Sequence, residues 1–162
     1  MNSKLALVTG SFDPITLGHV DIVRRAAMMF DRVIVLIANN EEKNYMFSFT
    51  ERIEIARAAV KDISNVTVDG CDGFVADYAK LHGASAFVRG VRDEKDVLYE
   101  QFMANKNYEL SGIDTVMLFA KPCYNEISST VARKLLERGE DAGRIMSADS
   151  YSLAKAILKG RM

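Results

Sequence analysis

The sequence of 162 residues contains few cysteines, no long apolar stretch and little net charge. Its two cysteines, Cys71 and Cys123, are far apart and lack the spacing of metal ligands, which favours a reduced protein over a disulfide-stabilised one. No apolar run approaches the ~20 residues of a membrane-spanning helix, and the net charge of −1 excludes a broad basic surface for nucleic acid. Because no signal-peptide pattern is present either, we expect a cytoplasmic protein that binds neither membranes nor nucleic acids.

Linkers, repeats and low-complexity segments are also absent, so residues 1–162 are predicted to form a single domain. Apolar strand patterns occur at residues 5–9, 33–38, 66–69, 86–88 and 115–119. Helical patterns alternate with them at residues 18–29, from a Ser48 cap to about 61, at 73–82, at 95–110, from a Ser128 or Ser129 cap to 137, and at 150–158 with Asp149 or Ser150 as cap. The alternation predicts an α/β fold, a Rossmann-like doubly wound sheet of five parallel strands with helices on both faces.

Ligands of such sheets bind beyond the carboxyl ends of the strands, and the stretch Thr16-Leu17-Gly18-His19 follows the first strand. A helix N-terminus has unpaired N–H groups and a positive dipole end, so it is suited to phosphate. Gly18 allows a phosphate chain to approach the backbone, and His19 can donate a hydrogen bond as negative charge develops in a transition state. Ser11 and the N–H groups beside it are candidates for a second anion. The alternative is a plain strand–turn–helix in which Gly18 and His19 only cap and pack.

Two further patterns offer phosphate-binding groups. Arg89-Gly90-Val91-Arg92 is predicted as a loop after the strand at 86–88, and its two guanidinium groups match phosphate oxygens. The hydroxyls of Ser128, Ser129 and Thr130 stand together at a predicted helix start. The alternatives are a solvated loop for the arginines and an ordinary helix cap for the hydroxyls.

Other polar residues receive structural interpretations. Lys43 offers a mobile positive charge after the second strand, although a solvated loop lysine is the plainer interpretation. His82 is interpreted as a basic residue at a helix C-terminus. The charged residues of 51–57 are interpreted as a solvated helix face.

The motifs together resemble the bacterial phosphopantetheine adenylyltransferase family of the nucleotidyltransferase superfamily. Residues 10–22 resemble its first motif with the T-x-G-H signature, and Arg89-Gly90-Val91-Arg92 resembles its R-G-x-R loop. Residues 96–100 are similar to its D-x-x-Y-E segment, and residues 127–130 to its final I-S-S-T motif. The resemblance covers essentially the whole chain. Asn44-Tyr45 departs from the family, which often has a Lys-Pro pair there.

The resemblance implies an enzyme that transfers the adenylyl group of ATP to 4′-phosphopantetheine, giving dephospho-coenzyme A and pyrophosphate by direct in-line attack. His19 would stabilise the transition state at the α-phosphate of ATP. The residues implied for the acceptor are Ser11, Lys43, Val75, Arg89 and Asn107. The residues implied for ATP are Ser11, Phe12, Gly90, Val91, Arg92, Glu100, Tyr124, Asn125, Glu126, Ile127, Ser128, Ser129 and Thr130.

The resemblance also implies that Mg²⁺ accompanies ATP without a metal site of protein residues, that the chain forms a homohexamer and that coenzyme A inhibits it. The chemistry agrees with the residues present, because the attacking phosphate oxygen is already ionised near neutral pH. No general base is therefore needed, and none stands out in the motifs. No activated nucleophile stands out either, so we expect no covalent intermediate.

Three alternatives stay open at this point. A related nucleotidyltransferase would use another acceptor, such as nicotinate mononucleotide or glycerol 3-phosphate, although Tyr99-Glu100 and the R-G-x-R pattern argue against it. A non-catalytic sensor of nucleotides or coenzyme A would keep the fold, but the presence of His19 and Lys43 weakens that idea. A fragment of a tRNA synthetase would need a basic stripe that the sequence lacks.

Overall fold

The computed structural model describes residues 3–162, in which five strands alternate with six α-helices. The strands are β1 (Leu5–Gly10), β2 (Arg32–Ala38), β3 (Val66–Cys71), β4 (Ala86–Val91) and β5 (Thr115–Phe119). The helices are α1 (Leu17–Met29), α2 (Phe49–Val60), α3 (Val75–Leu81), α4 (Glu94–Ser111), α5 (Ser129–Glu137) and α6 (Ala148–Gly160). A short 3-10 helix, Pro122–Tyr124, lies between β5 and α5.

The five strands form one parallel sheet in the order β3-β2-β1-β4-β5. The central strand β1 pairs with β2 on one side and with β4 on the other, so Val8 lies opposite both Val35 and Val88. Strand order therefore reverses between β1 and β4, which is where such sheets bind ligands. This arrangement confirms the predicted fold class.

The core lies on both faces of the sheet, because successive side chains of a strand point to opposite faces. Ala6 and Val8 of β1 belong to the larger cluster, which also contains Ala26 of α1 and Ala154 of α6. Residues Leu5 and Leu7 of the same strand belong to the second cluster, together with Ala79 of α3. Helices thus cover both faces, as predicted.

Several predicted boundaries are wrong, among them those of β4, α3 and α6. Strand β4 runs on to Val91, because Gly90 and Val91 pair with β5, so most of the expected arginine loop is strand. Helix α3 begins at Val75, two residues later than predicted. Helix α6 begins at Ala148 and is capped by Ser147, whose Oγ accepts a hydrogen bond from the Ser150 N–H.

The predicted ends of α2 and α3 agree with the structure. Ser48 caps α2 in a capping box, in which the Glu51 N–H donates to Ser48 Oγ and the Ser48 N–H donates to the Glu51 carboxylate. His82 ends α3, and its ring stacks on Tyr78 with the centroids 3.8 Å apart.

The solvated face predicted for residues 51–57 is wrong for Arg52, which has no solvent exposure. Its aliphatic stem and guanidinium are enclosed because α2 packs beside the carboxyl ends of β1 and β2. No helix of the described residues is both long and apolar enough to cross a membrane.

Candidate active site

Two adjoining cavities open at the carboxyl ends of β1 and β4. The larger, the Lys43 cavity, has a volume of about 370 Å³ and is lined among others by Ser11, Phe12, Lys43, Tyr45, Arg89 and Arg133. The smaller, the Arg92 cavity, has a volume of about 280 Å³ and is lined among others by Arg92, Glu100, Tyr124, Ile127, Ser128 and Thr130. His19, Ile22, Gly90 and Ser129 line both. His19 therefore stands at the junction of two cavities that each contain cationic side chains.

Hydrogen bonds hold the loop between β1 and α1 in place. The Asp13 carboxylate is buried and accepts hydrogen bonds from the Met46 and Phe47 N–H groups at 2.8 and 2.9 Å. The Phe12 side chain is buried too, with its ring centroid 5.1 Å from that of His19 in an edge-to-face contact. Phe12 has a positive φ of 47°, an uncommon conformation for a bulky residue. The hydrogen bonds of Asp13 and the packing of the Phe12 ring therefore fix the shape of this loop.

The imidazole of His19 has a defined tautomer. Its Nδ1 accepts a hydrogen bond from the Thr16 backbone N–H at 3.0 Å, and the Thr16 hydroxyl lies 3.1 Å from the same nitrogen. A nitrogen that accepts from a backbone N–H carries no proton, so the proton of the neutral ring is on Nε2. Burial, followed by the charges of Arg89 and Arg92, lowers the pKa of His19 from 6.5 to about 4. At neutral pH His19 is thus a neutral Nε2–H donor.

Arg89 is held by a carboxylate on α4. Its Nε and Nη2 donate to the two oxygens of Glu100 at 2.8 and 2.7 Å, and its Nη1 donates to the Thr9 carbonyl. Glu100 is the buried residue of α4. The carboxylate of Glu100 thus holds the guanidinium in place through a bidentate pair, and its implied contact with ATP remains a prediction.

Arg92 has a looser connection to the same helix. Its backbone N–H and its Nε both donate to the Asp96 carboxylate, at 3.0 and 3.1 Å. The side chain is 41% exposed, and among the described residues no acceptor binds its two terminal nitrogens. Arg92 therefore keeps donors available in the Arg92 cavity.

The hydroxyls at the start of α5 serve both structure and site. Ser128 Oγ accepts from the Val131 N–H at 3.2 Å, which confirms the cap. Ser129 Oγ donates to the Pro14 carbonyl at 2.8 Å, and Arg133 donates to the Asp13 carbonyl at 2.9 Å. These contacts join α5 to the loop after β1, so the first and last motifs of the chain meet at one place.

Gly90 and Gly18 line the site in different surroundings, since protein atoms crowd Gly90 and leave space beside Gly18. A Cβ on Gly90 would lie 2.9 Å from Ile22 Cγ1, so the glycine is required for α1 to pack on β4. A Cβ on Gly18 would meet no protein atom closer than 3.7 Å. The space beside Gly18 is part of the Arg92 cavity, in agreement with the close ligand approach predicted from the sequence.

The structure gathers most, but not all, of the predicted site residues. The linings of the two cavities leave out Val75, Val91, Asn107, Asn125 and Glu126. Val75 packs against the second core cluster, and the Asn107 carbonyl accepts from Ser111. Their implied contacts remain predictions.

Sequence reasoning did not assign every lining residue to the site. Among those it missed are Ile22, Tyr45, Asp96 and Arg133. Asp96 lies within the D-x-x-Y-E segment, Arg133 follows the I-S-S-T motif by one helical turn, and Ile22 is one helical turn beyond His19, so their positions offered a signal. Tyr45 offered none, because an aromatic residue in a loop gives no sign in the sequence that it will stack on Arg52.

Comparison with known proteins agrees with this geometry. Residues 7–135 match the family model described as cytidylyltransferase-like. A phosphopantetheine adenylyltransferase of Thermobifida fusca is 42% identical over 137 residues, which cover 85% of this chain and 84% of the relative. The enzyme of the same name from Caldanaerobacter subterraneus is 41% identical over 137 residues, covering 84% and 86%. This chain belongs to the phosphopantetheine adenylyltransferase family. The family inferred from the motifs is thereby confirmed.

Solved structures of more distant proteins share the fold. A bifunctional NMN adenylyltransferase/ADP ribose pyrophosphatase of Francisella tularensis matches with a TM-score of 0.73 at 13% identity, over 98% of this chain and 50% of that one. A nicotinic acid mononucleotide adenylyltransferase of Plasmodium falciparum matches with a TM-score of 0.69 at 15% identity, over 99% and 97%. At these identities the likeness concerns the fold alone.

The neutral state of His19 predicts a pH dependence of stability. Its folded pKa of about 4 lies below the ordinary 6.5, so between these values the unfolded chain binds the proton more tightly. The His19 contribution to stability is therefore complete above pH 6.5 and is lost as the pH falls towards 4. We expect urea unfolding to show a smaller loss over this interval in His19→Asn, whose amide oxygen still accepts from Thr16 but does not titrate. Equal losses in both proteins, or an imidazole signal that titrates near 6.5, would contradict this interpretation.

Proposed function

We propose that this protein transfers the adenylyl group of ATP to the phosphate of 4′-phosphopantetheine, forming dephospho-coenzyme A and pyrophosphate. Membership of the phosphopantetheine adenylyltransferase family supports the reaction. The observation that carries the proposal is the position of His19 at the junction of two cavities that both contain arginine side chains. A site of this kind suits a reaction that joins two polyanions at one phosphorus atom.

In the proposed reaction an oxygen of the acceptor phosphate forms a bond to the α-phosphorus of ATP. The bond between the α-phosphorus and the bridging oxygen to the β-phosphate breaks, and pyrophosphate leaves with that electron pair. The His19 Nε2–H donates to a non-bridging α-oxygen, where charge accumulates. Since the nucleophile is ionised beforehand, the protein has only to align the two substrates and neutralise their charge.

Each cavity suits one substrate. The acceptor phosphate would bind in the Lys43 cavity to Ser11, Lys43 and the face of Arg89 turned to it, with Val75 and Asn107 along the pantetheine arm. The ATP phosphates would bind in the Arg92 cavity and to the backbone of Phe12. The residues proposed to hold the rest of ATP are Gly90, Val91, Arg92, Tyr124, Asn125, Glu126, Ile127, Ser128, Ser129 and Thr130.

We also propose that Mg²⁺ arrives with ATP. The described residues contain no group of three or more histidine, cysteine, aspartate or glutamate side chains arranged to hold a metal ion. The nearby carboxylates of Asp13, Asp96 and Glu100 already accept hydrogen bonds from the protein. This donor set fits an ion that keeps its waters and binds chiefly to substrate phosphates, whose charge it offsets.

Assembly and regulation follow from the same proposal. Helix α4 exposes large apolar side chains that suit contacts between copies of the chain in the homohexamer we propose: Leu98, Tyr99, Phe102, Tyr108 and Leu110. Coenzyme A carries both a pantetheine arm and an adenine nucleotide, so it would fit across both cavities and inhibit. We place this enzyme in the cytoplasm, where the reduced state inferred from its two cysteines is maintained.

A parallel-acceptor assay tests the function. Purified protein with ATP and Mg²⁺ is given 4′-phosphopantetheine or nicotinate mononucleotide, and pyrophosphate release is measured. We expect release with phosphopantetheine alone, because the family named above uses it. Release with the mononucleotide alone would change the substrate but keep the chemistry. No release with either, despite ATP or coenzyme A binding, would favour a sensor.

His19→Ala removes the donor at the junction. We expect kcat to fall by about 100- to 1,000-fold, the usual effect of losing one such donor, with ATP binding changed little. A steady-state assay measures kcat, and calorimetry measures the affinity for ATP separately. Turnover close to that of the unsubstituted protein would rule out the transition-state role.

Lys43→Ala removes a cation from the Lys43 cavity only. We expect the KM for phosphopantetheine to rise by about 10- to 100-fold, as for a lost charge-assisted hydrogen bond, and the KM for ATP to stay within about twofold. The reciprocal control is Arg92→Ala, which should raise the KM for ATP more. If Lys43→Ala raised both KM values equally, the division of the cavities between substrates would be wrong.

A further inference from the structure

The segment that carries Lys43 has no secondary structure of its own. It runs through residues 39–46 between β2 and α2, and Lys43 is exposed in it. Its last residues are fixed by Asp13, which accepts from the Met46 and Phe47 N–H groups. Its first residues and its middle must be fixed by something else, since the Lys43 ammonium can meet a phosphate only from a defined loop conformation.

Arg52 fixes the first residues of this segment through hydrogen bonds of its guanidinium. It is fully buried, and its Nη2 donates to Asn39 Oδ1 at 2.7 Å. Its Nη1 donates to the Ala38 carbonyl at 3.1 Å and to the Ser11 carbonyl at 2.8 Å. One guanidinium thus joins the ends of β1 and β2 and the first residue of the loop.

The ring of Tyr45 covers the face of this guanidinium. The Arg52 Cζ lies 3.8 Å from the Tyr45 ring centroid, within the range of a cation–π contact. The Tyr45 hydroxyl accepts from the Asn40 N–H at 3.0 Å, and the Lys43 N–H donates to the Asn40 carbonyl at 3.0 Å. The stacked ring therefore fixes the turn that presents Lys43.

The same guanidinium also orients a peptide bond at the site. Ser11 and Phe12 are joined by a trans peptide, since the cis bond of this loop is Asp13–Pro14. In a trans peptide the C=O and N–H groups point in opposite directions. Because the Ser11 carbonyl is bound to Arg52, the Phe12 N–H is turned away from Arg52.

Burying the charge of Arg52 costs free energy of folding, because the guanidinium loses its hydration. No described residue forms an ion pair with Arg52, and its Nε has no hydrogen-bond partner in the described structure. Burial lowers the pKa of Arg52, although arginine stays protonated in proteins. An apolar side chain would fill the same space without a buried charge, but it would bind neither the loop nor the carbonyls.

We infer that Tyr45 and Arg52 are a positioning pair for the acceptor substrate, in which the stacked ring sets Lys43 over the Lys43 cavity and the guanidinium sets the Ser11–Phe12 peptide. The inference rests on the proposed function, because it names the phosphate of the acceptor as the group that Lys43 meets. Neither residue needs to touch the reacting atoms.

A double-mutant cycle tests the link to Lys43. Tyr45→Leu removes the ring from Arg52, and we expect the KM for phosphopantetheine to rise by about tenfold while the KM for ATP stays within about twofold. In a Lys43→Ala background the same change is expected to alter the acceptor KM by less than about twofold, because the residue through which it acts is gone. Full additivity of the two substitutions would overturn the inference.

Two variants separate positioning from general stability. Tyr45→Phe keeps the ring on the guanidinium but loses the hydroxyl that accepts from the Asn40 N–H, so it is expected to raise the acceptor KM less than Tyr45→Leu does. Tyr151→Leu removes a matched contact far from both cavities, where the Lys155 Nζ lies 5.1 Å from the Tyr151 ring centroid. It is expected to change neither KM. A loss in Tyr45→Phe as large as in Tyr45→Leu would contradict the role of the ring.

A measurement without turnover keeps the inference separate from the proposed function. Trypsin cleaves after lysine, and cleavage after Lys43 in the folded protein reports how often this loop opens. We expect about tenfold faster cleavage in Tyr45→Leu than in Tyr151→Leu or the unsubstituted protein, with Tyr45→Phe between these limits, as followed by mass spectrometry. Equal rates would overturn the inference even if the enzyme is active. Faster cleavage in a protein that does not adenylylate phosphopantetheine would uphold the fixed loop and reject the acceptor.

Arg52→Lys tests the guanidinium itself. A lysine has one nitrogen and cannot reach two carbonyls and an amide in the fork geometry of arginine. We expect an acceptor KM at least as high as that of Tyr45→Leu, together with a higher ATP KM, because the Phe12 backbone that Arg52 orients is proposed to meet the ATP phosphates. If Arg52→Lys does not fold, the Tyr45 series decides the matter alone; an unchanged acceptor KM in a folded Arg52→Lys would refute the role of the guanidinium.

Discussion

Each arginine that lines the two cavities is held by an acceptor of the protein before any ligand arrives. Arg89 is paired with Glu100, Arg92 with Asp96, and Arg133 with the Asp13 carbonyl. A site for two polyanions has to keep several like charges close together, and unpaired they would repel one another and drift towards solvent. Because their partners already hold the arginines in place, these side chains need not be ordered or rearranged when the phosphates bind.

The state of His19 follows from this concentration of positive charge. Beside Arg89 and Arg92, and largely out of water, a protonated imidazole is unfavourable, so the pKa of His19 falls to about 4. The Thr16 N–H then selects the tautomer by donating to Nδ1. A neutral, oriented N–H donor results, which in the reaction we propose would donate to the α-phosphate as negative charge develops there.

Several features of the fold and the site were predictable because they depend on near neighbours along the chain. The capping box of Ser48 and Glu51 and the histidine at the start of α1 were recognised from spacing alone. The end of β4 was not, because the backbone of Gly90 and Val91 continues as strand only through its pairing with β5. Arg52 was misjudged for a similar reason, since charge in a helix pattern ordinarily marks a solvated face.

The sequence by itself determined the class of fold, the family and many of the residues that line the two cavities. The alternation of apolar segments and the glycine-, hydroxyl- and arginine-containing motifs are patterns of neighbouring residues, so they can be recognised in the sequence without a structure. Only the tertiary structure decided which charged side chains are paired within the protein. Glu100 forms an ion pair with Arg89, and the guanidinium of Arg52 is buried under the ring of Tyr45. Those pairings join residues from separate elements, and hydrogen-bond geometry over a few ångströms is set by packing rather than by sequence spacing.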